Sequence, residues 1–153
     1  MLFLLMKLGG DRYALDARQV AQVLPLLQIK KIPHAPLGIA GAVDYRGVPV
    51  PVVDLSELML RRPAQRQLST RIVMVHYPGR DGARHLLGLI AENATEVIRR
   101  DPSEFVSAGV ESPEGSYLGP VVTDAGGMIQ WIRAQDLLPE AVRDALFQQV
   151  AES

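Results

Sequence analysis

With 153 residues, 48% of them hydrophobic and 22% charged, the chain has the make-up of a folded globular protein of one domain or two small subdomains. A formal net charge of −1 gives no electrostatic ground for a nucleic-acid or anionic-membrane partner. The absence of cysteine removes disulfides, thiolate zinc sites and cysteine nucleophiles.

The opening run Met1-Leu2-Phe3-Leu4-Leu5-Met6 lacks a basic leader and soon meets Lys7, Asp11 and Arg12. It reads as a buried first strand rather than a secretion signal. No uncharged apolar run approaches the ~18 residues that span a bilayer, so a soluble chain without membrane insertion is expected, and the absence of cysteine is compatible with the cytoplasm. Gly9-Gly10-Asp11-Arg12 turns the chain back into Tyr13-Ala14-Leu15. Val20, Val23 and Leu24 stand at helical spacing before Pro25 and predict a short helix or turn. Ile29 to Ile32 alternates too briefly to assign. Pro33 and Pro36 then mark a bend before a hairpin over Ala40 to Leu55, and Leu55 to Leu60 reads as a short helix.

The polar stretch Arg61 to Thr70 looks like a joint, after which the pattern repeats. Ile72 to Tyr77 and Leu86 to Ala91 flank the turn at Pro78 to Gly82. Ala94, Val97 and Ile98 follow Glu92-Asn93 much as Val20 and Val23 follow Leu15-Asp16. Tyr117 to Thr123 and Gly127 to Ile132 form a last hairpin. Val142, Ala145, Leu146 and Val150 line one face of a terminal helix. The expected fold is mainly β, in two similar small halves of about 1–65 and 66–138, with a C-terminal helix over about 139–150.

The hairpin is the densest feature. Asp44 and Gly47 sit where a four-residue type I turn favours them, with Tyr45 and Arg46 at its centre. Both central residue types are enriched at binding hot spots. Val48, Val50 and Val52 alternate with Pro49 and Pro51, so one side of the strand lacks two successive donors. That pattern suits an edge strand beside a groove.

Signs of catalysis are missing from the sequence. No phosphate-loop, dinucleotide or nucleophile-elbow motif occurs. His34, His76 and His85 are scattered; His76 and His85 face one another only if the hairpin register allows it, with Asp81 as a third ligand. Asp44, Asp54 and Asp124 stand at turns or strand ends that explain them without acid–base chemistry. No metal, cofactor or catalytic residue is expected.

The run from Pro33 to Leu55, with Gly41, Arg46-Gly47, Val50-Pro51 and Asp54-Leu55, resembles the central signature of the CheW-like coupling proteins of bacterial chemosensory arrays. Leu8-Gly9, Tyr13-Ala14-Leu15 and Val20 resemble that family's opening, and Leu87-Gly88-Leu89-Ile90, Ala94 and Glu96-Val97-Ile98 its second half. Tyr117-Leu118-Gly119 and Leu137-Leu138 resemble its ending. The resemblance implies two small SH3-like five-stranded barrels packed together. It also implies a non-catalytic adaptor joining the cytoplasmic tip of a methyl-accepting chemoreceptor to the regulatory domain of a CheA-type histidine kinase, with other couplers as further neighbours. By the same resemblance the receptor groove takes in Val20, Gly41, Tyr45, Arg46, Gly47, Ala94 and Val97, with Arg46 either touching the receptor or bracing the groove through backbone carbonyls.

The chain departs from the family pattern where Asp44-Tyr45 replaces Asn-Leu and Gln22 replaces an acidic residue. These changes resemble a coupler of a divergent pathway, such as surface sensing. Two other function classes stand beside the coupler: a free-standing peptide-binding β-module using its proline-bearing strand, and a small metal-dependent enzyme built on His76 and His85.

Overall fold

Several strands of this chain are apolar at nearly every position, and the computed structural model shows both of their faces covered. The structure describes residues 1–78, 82–109, 119–136 and 138–147. In β1 (Leu2–Leu8), Phe3 and Leu5 point into one core while Leu4, Met6 and Leu8 point into another. β6 (Arg71–Pro78) divides in the same way, with Ile72 and Met74 on one side and Val73, Val75 and Tyr77 on the other.

Two five-stranded sheets carry these cores. The first pairs β8 (Glu96–Arg99), β1, β2 (Asp11–Asp16), β10 (Gly127–Ile132) and β9 (Val121–Asp124) in that order. The second pairs β3 (Val20–Pro25), β6, β7 (Arg84–Ala91), β5 (Val48–Asp54) and β4 (Ile39–Tyr45). Each holds one parallel pair, β2 with β10 and β5 with β7, among antiparallel ones. Each also curls shut by the same device. The segment beyond one outer strand forms a bridge to the outer strand opposite, Lys30 with Ala42 in the second sheet and Val106 with Val121 in the first. The results are two SH3-like subdomains, each with its own interior. A third core, contributed by β1, β2, β6 and β7, lies between them.

Strand order corrects the expected division near residue 65. The hairpin–strand–hairpin grammar does occur twice, but the second subdomain is the continuous stretch β3 to β7. It is inserted into a first subdomain made of β1–β2 and β8–β10. The chain crosses out through a 3-10 turn at Ala17–Gln19 and returns through residues 92–95. Sequence order records the grammar but carries no sign of which hairpins share a sheet.

The predicted helix or turn at Val20, Val23 and Leu24 is strand β3, whose burial alternates residue by residue. Spacings of three and four satisfy a helix, yet pairing with β6 from Val20–Val75 to Pro25–Arg71 offers a full ladder, and a bulge at Ala21 absorbs the odd spacing. The short helix α1 is found at Leu55–Leu60, opened by the Asp54 carboxylate, which accepts from the Glu57 amide at 3.2 Å. The terminal helix α2 covers Glu140–Ala145, shorter than expected, because Leu146 is extended and Phe147 left-handed. Val142 and Leu146 join the shared core, while Val150 lies outside the described residues.

Candidate partner-binding surface

The β4–β5 hairpin turns on two residues, Arg46 and Gly47, with φ of 53° and 81°. Tyr45 already pairs with Val48. Positive φ at both positions is the I′ geometry that matches strand twist, so the type I turn centred on Tyr45 and Arg46 is corrected. The Asp44 carboxylate accepts from the Gly47 amide at 2.8 Å and holds the turn closed. Arg46 is thereby projected into solvent at the hairpin tip.

Arg46 does not brace the groove through carbonyls. Its guanidinium lies over the Tyr45 ring, 5.1 Å from the centroid, and donates to Gln22 Oε1 at 3.4 Å. The same oxygen accepts the Tyr45 hydroxyl at 2.6 Å. Gln22 is on β3 and Tyr45 on β4, so this contact also links the two outer strands of the sheet. The two departures noted in the sequence, Gln22 and Tyr45, are therefore one hydrogen-bonded pair.

β5 is not an edge strand. It lies between β4 and β7, but its ladder with β7 begins only at Val52–Gly88. A two-residue turn makes Tyr45–Val48 a hydrogen-bonded pair, so Val50 and Val52 address β4, while Pro49 and Pro51 face β7. Without donors there, the strands part. They leave a cleft of about 460 Å³ bounded by Val48 to Pro51 on one side and Arg84 to Leu86 on the other.

The remaining predicted residues are placed as follows. Val20 is half-buried on β3 against the shared core, and Val97 is 59% exposed on β8 of the other sheet. Ala94 is 2% exposed and is part of the shared core. Gly41 is buried, with φ of 148°, and a Cβ there would stand 2.1 Å from the Lys30 carbonyl oxygen. Its requirement is backbone proximity at the bridge that closes the sheet. Tyr45, Arg46 and Gly47 thus form one tip with Gln22, whereas Ala94 and Val97 belong to the other subdomain's outer strand and its approach.

His76 pairs with Leu86 and His85 with Tyr77, so the two histidines project from opposite faces of the β6–β7 hairpin. Among the described residues no cluster of three His, Asp or Glu side chains is arranged to hold a metal ion. His85 instead stacks on Phe147, ring centroids 4.1 Å apart.

Two carboxylates to which sequence reading gave no such role organise α1 and the loop that joins it to β6. Asp54 binds the amide of Ala64 at 2.9 Å as well as capping α1. Glu92 accepts from Ser56, from Arg62 and from the Gln65 amide. Apart from the local cap on Glu57, their partners are 10 to 36 positions away in sequence, which local pattern cannot reveal. In the first subdomain Arg12 and Arg100 converge on Asp124; the Arg12 hydrogen bond, helped by the Gly126 amide, holds the Asp124 carboxyl down at about 2.

A family model described as the CheW-like domain matches residues 2–142. The chain belongs to the CheW-like family. It is 28% identical over 115 residues to the chemotaxis protein CheW of Klebsiella aerogenes, covering 71% of this chain and 67% of that protein. It is 26% identical over 132 residues to the chemotaxis protein CheW of Bacillus subtilis, covering 85% and 81%. Among solved structures, the scaffolding protein TtCheW from Thermoanaerobacter tengcongensis superposes with a TM-score of 0.78 at 25% identity, over 92% of this chain and 89% of that one. CheW-like proteins are non-catalytic scaffolds, and this chain is a member without enzymatic chemistry. No described helix is long and apolar enough to cross a membrane.

Proposed function

We propose that this CheW-like chain is a coupling adaptor that joins the cytoplasmic tip of a methyl-accepting chemoreceptor to the regulatory domain of a CheA-type histidine kinase. The observation that carries this reading is the family match across residues 2–142, together with preservation of both barrels. A coupler needs two separate faces on one stable body, and the two subdomains with their shared core supply such a body. In this role the tip formed by Tyr45, Arg46 and Gly47 contacts the receptor, with Val20 and Val97 as exposed or half-exposed apolar contacts. Gly41 and Ala94 serve by holding the backbone and the shared core.

Calorimetric titration of the full chain with a receptor-tip fragment, with the kinase regulatory domain, and with both in sequence tests the reading. Binding of each, with the first leaving the second intact, is the expected result. Failure to bind either would refute the coupling role. The peptide-module alternative loses its basis in the fold, because the proline-bearing half of β5 offers no donors to an added strand.

A further inference from the structure

The cleft between β5 and β7 has a consistent chemistry. Its floor is apolar, formed by Val50, Leu86 and Phe147, and Arg46 and Arg84 stand on its rim beside His85. None of the described lining residues is a carboxylate. Arg46 is not neutralised by its contacts either: Gln22 and the Tyr45 ring are both uncharged, and the Tyr45 hydroxyl already occupies the Gln22 oxygen. Asp44, the acid nearest to Arg46 in sequence, is turned to the Gly47 amide. The β5 wall adds a second constraint. Neither Pro49 nor Pro51 has an N–H to offer, so a strand cannot pair there, while the Pro49 carbonyl, beyond the start of the β5–β7 ladder, can accept a free N–H.

We infer that this cleft receives the acidic first turn of a helix from a partner protein. The first turn of a helix carries N–H groups with no partner of their own, which suit the Pro49 carbonyl. Asp and Glu are favoured in that turn, and they suit Arg46 and Arg84 as charge-assisted, bidentate acceptors. The apolar floor takes the hydrophobic residue that follows. Gln22 sets this preference: a carboxylate in its place would pair with Arg46 and withdraw the charge from the partner. The inference deepens the coupling reading, since the tip is the same, by assigning the partner's chemistry.

The test uses the full chain, labelled so that arginine Nε–H signals are observed by nuclear magnetic resonance. One titrant is a synthetic helical peptide opening with Ser, Glu and Asp before a leucine; the other replaces the acids by Lys. The acidic peptide should shift the Arg46 and Arg84 signals, and the basic one should leave them in place. Gln22→Glu, nearly isosteric and able to keep the Tyr45 bond, should weaken acidic-peptide binding about tenfold, as should Arg46→Gln. The inference is overturned if the acidic peptide moves neither signal, if both peptides act alike, or if Gln22→Glu binds as wild type does. Neither receptor nor kinase enters this measurement, so its outcome and the outcome of the calorimetry are independent.

Discussion

Replacing Gly41 by alanine tests whether this position is a contact or a backbone requirement. The added Cβ would stand 2.1 Å from the Lys30 oxygen and 2.8 Å from the Ile29 side chain, far inside contact distance. The Lys30 strand must retreat, and it is held to Ala42 by two amide–carbonyl bonds of 2.9 Å. Losing both costs roughly 1 kcal/mol each. A side chain at φ of 148° adds on the order of 1–2 kcal/mol of strain. The sum is about 3 kcal/mol, equivalent to a fall in Tm of about 6–12 °C for a chain of this size. Gly47→Ala is the matched control: its φ is 81°, but no atom lies within 4 Å of the new Cβ. Strain alone should cost it about 1 kcal/mol, or about 2–4 °C. Thermal melts of both variants, with hydrogen exchange at the Lys30 and Ala42 amides, distinguish the cases. Equal melting of the two variants, or full amide protection in Gly41→Ala, would refute the close-approach argument and restore Gly41 as a surface contact.

Arg46→Ala should leave the melt within about 0.5 kcal/mol of wild type, since the side chain is exposed, yet weaken receptor-tip binding by about 1–3 kcal/mol in the same calorimetry. The Arg12 hydrogen bond lowers the Asp124 carboxyl to about 2. The stability it contributes is therefore complete above the usual carboxylate range and is lost as pH falls through about 2. Asp124→Asn should flatten that acid limb in urea titrations between pH 5 and pH 2, and an unchanged limb would mean another group titrates there. Leu146→Ala empties a side chain that is 8% exposed in the shared core. A loss of about 2–4 kcal/mol is expected in urea unfolding, and a loss below about 0.5 kcal/mol would show that the segment after α2 does not pack there.

The hairpins and α1 were legible because each rests on local pattern: glycine turns, alternating valines and a short apolar run. The doubled grammar was legible for the same reason. Strand β3 was misread because Val20, Val23 and Leu24 fit a helical face as well as a bulged strand, and only its pairing with β6 decides between them. Division into halves failed because contact partners far apart in sequence, such as β2 with β10, leave no mark on either segment. At the candidate site, Arg46 stood out by residue type and Gly41 through the family resemblance. The Gln22–Tyr45 pair, spanning 23 positions, could be seen as two departures but not as one interaction. The turn type was missed because arginine rarely takes positive φ.

The insertion of one subdomain into the other bears on how such a body moves. β3 and β7 both run antiparallel to β6, so the chain enters the inserted barrel at one end of its sheet, at Val20, and leaves from the other, at Ala91. A single tether would act as a pivot. Two tethers at opposite ends resist rotation, because a tilt that relaxes one must stretch the other, and the packed core between the barrels resists sliding. A push delivered to one barrel is therefore passed on as displacement of the whole body, with little lost to bending. Stiffness of that kind comes from the order in which the chain visits its two barrels, and it would survive many changes in the residues on their surfaces.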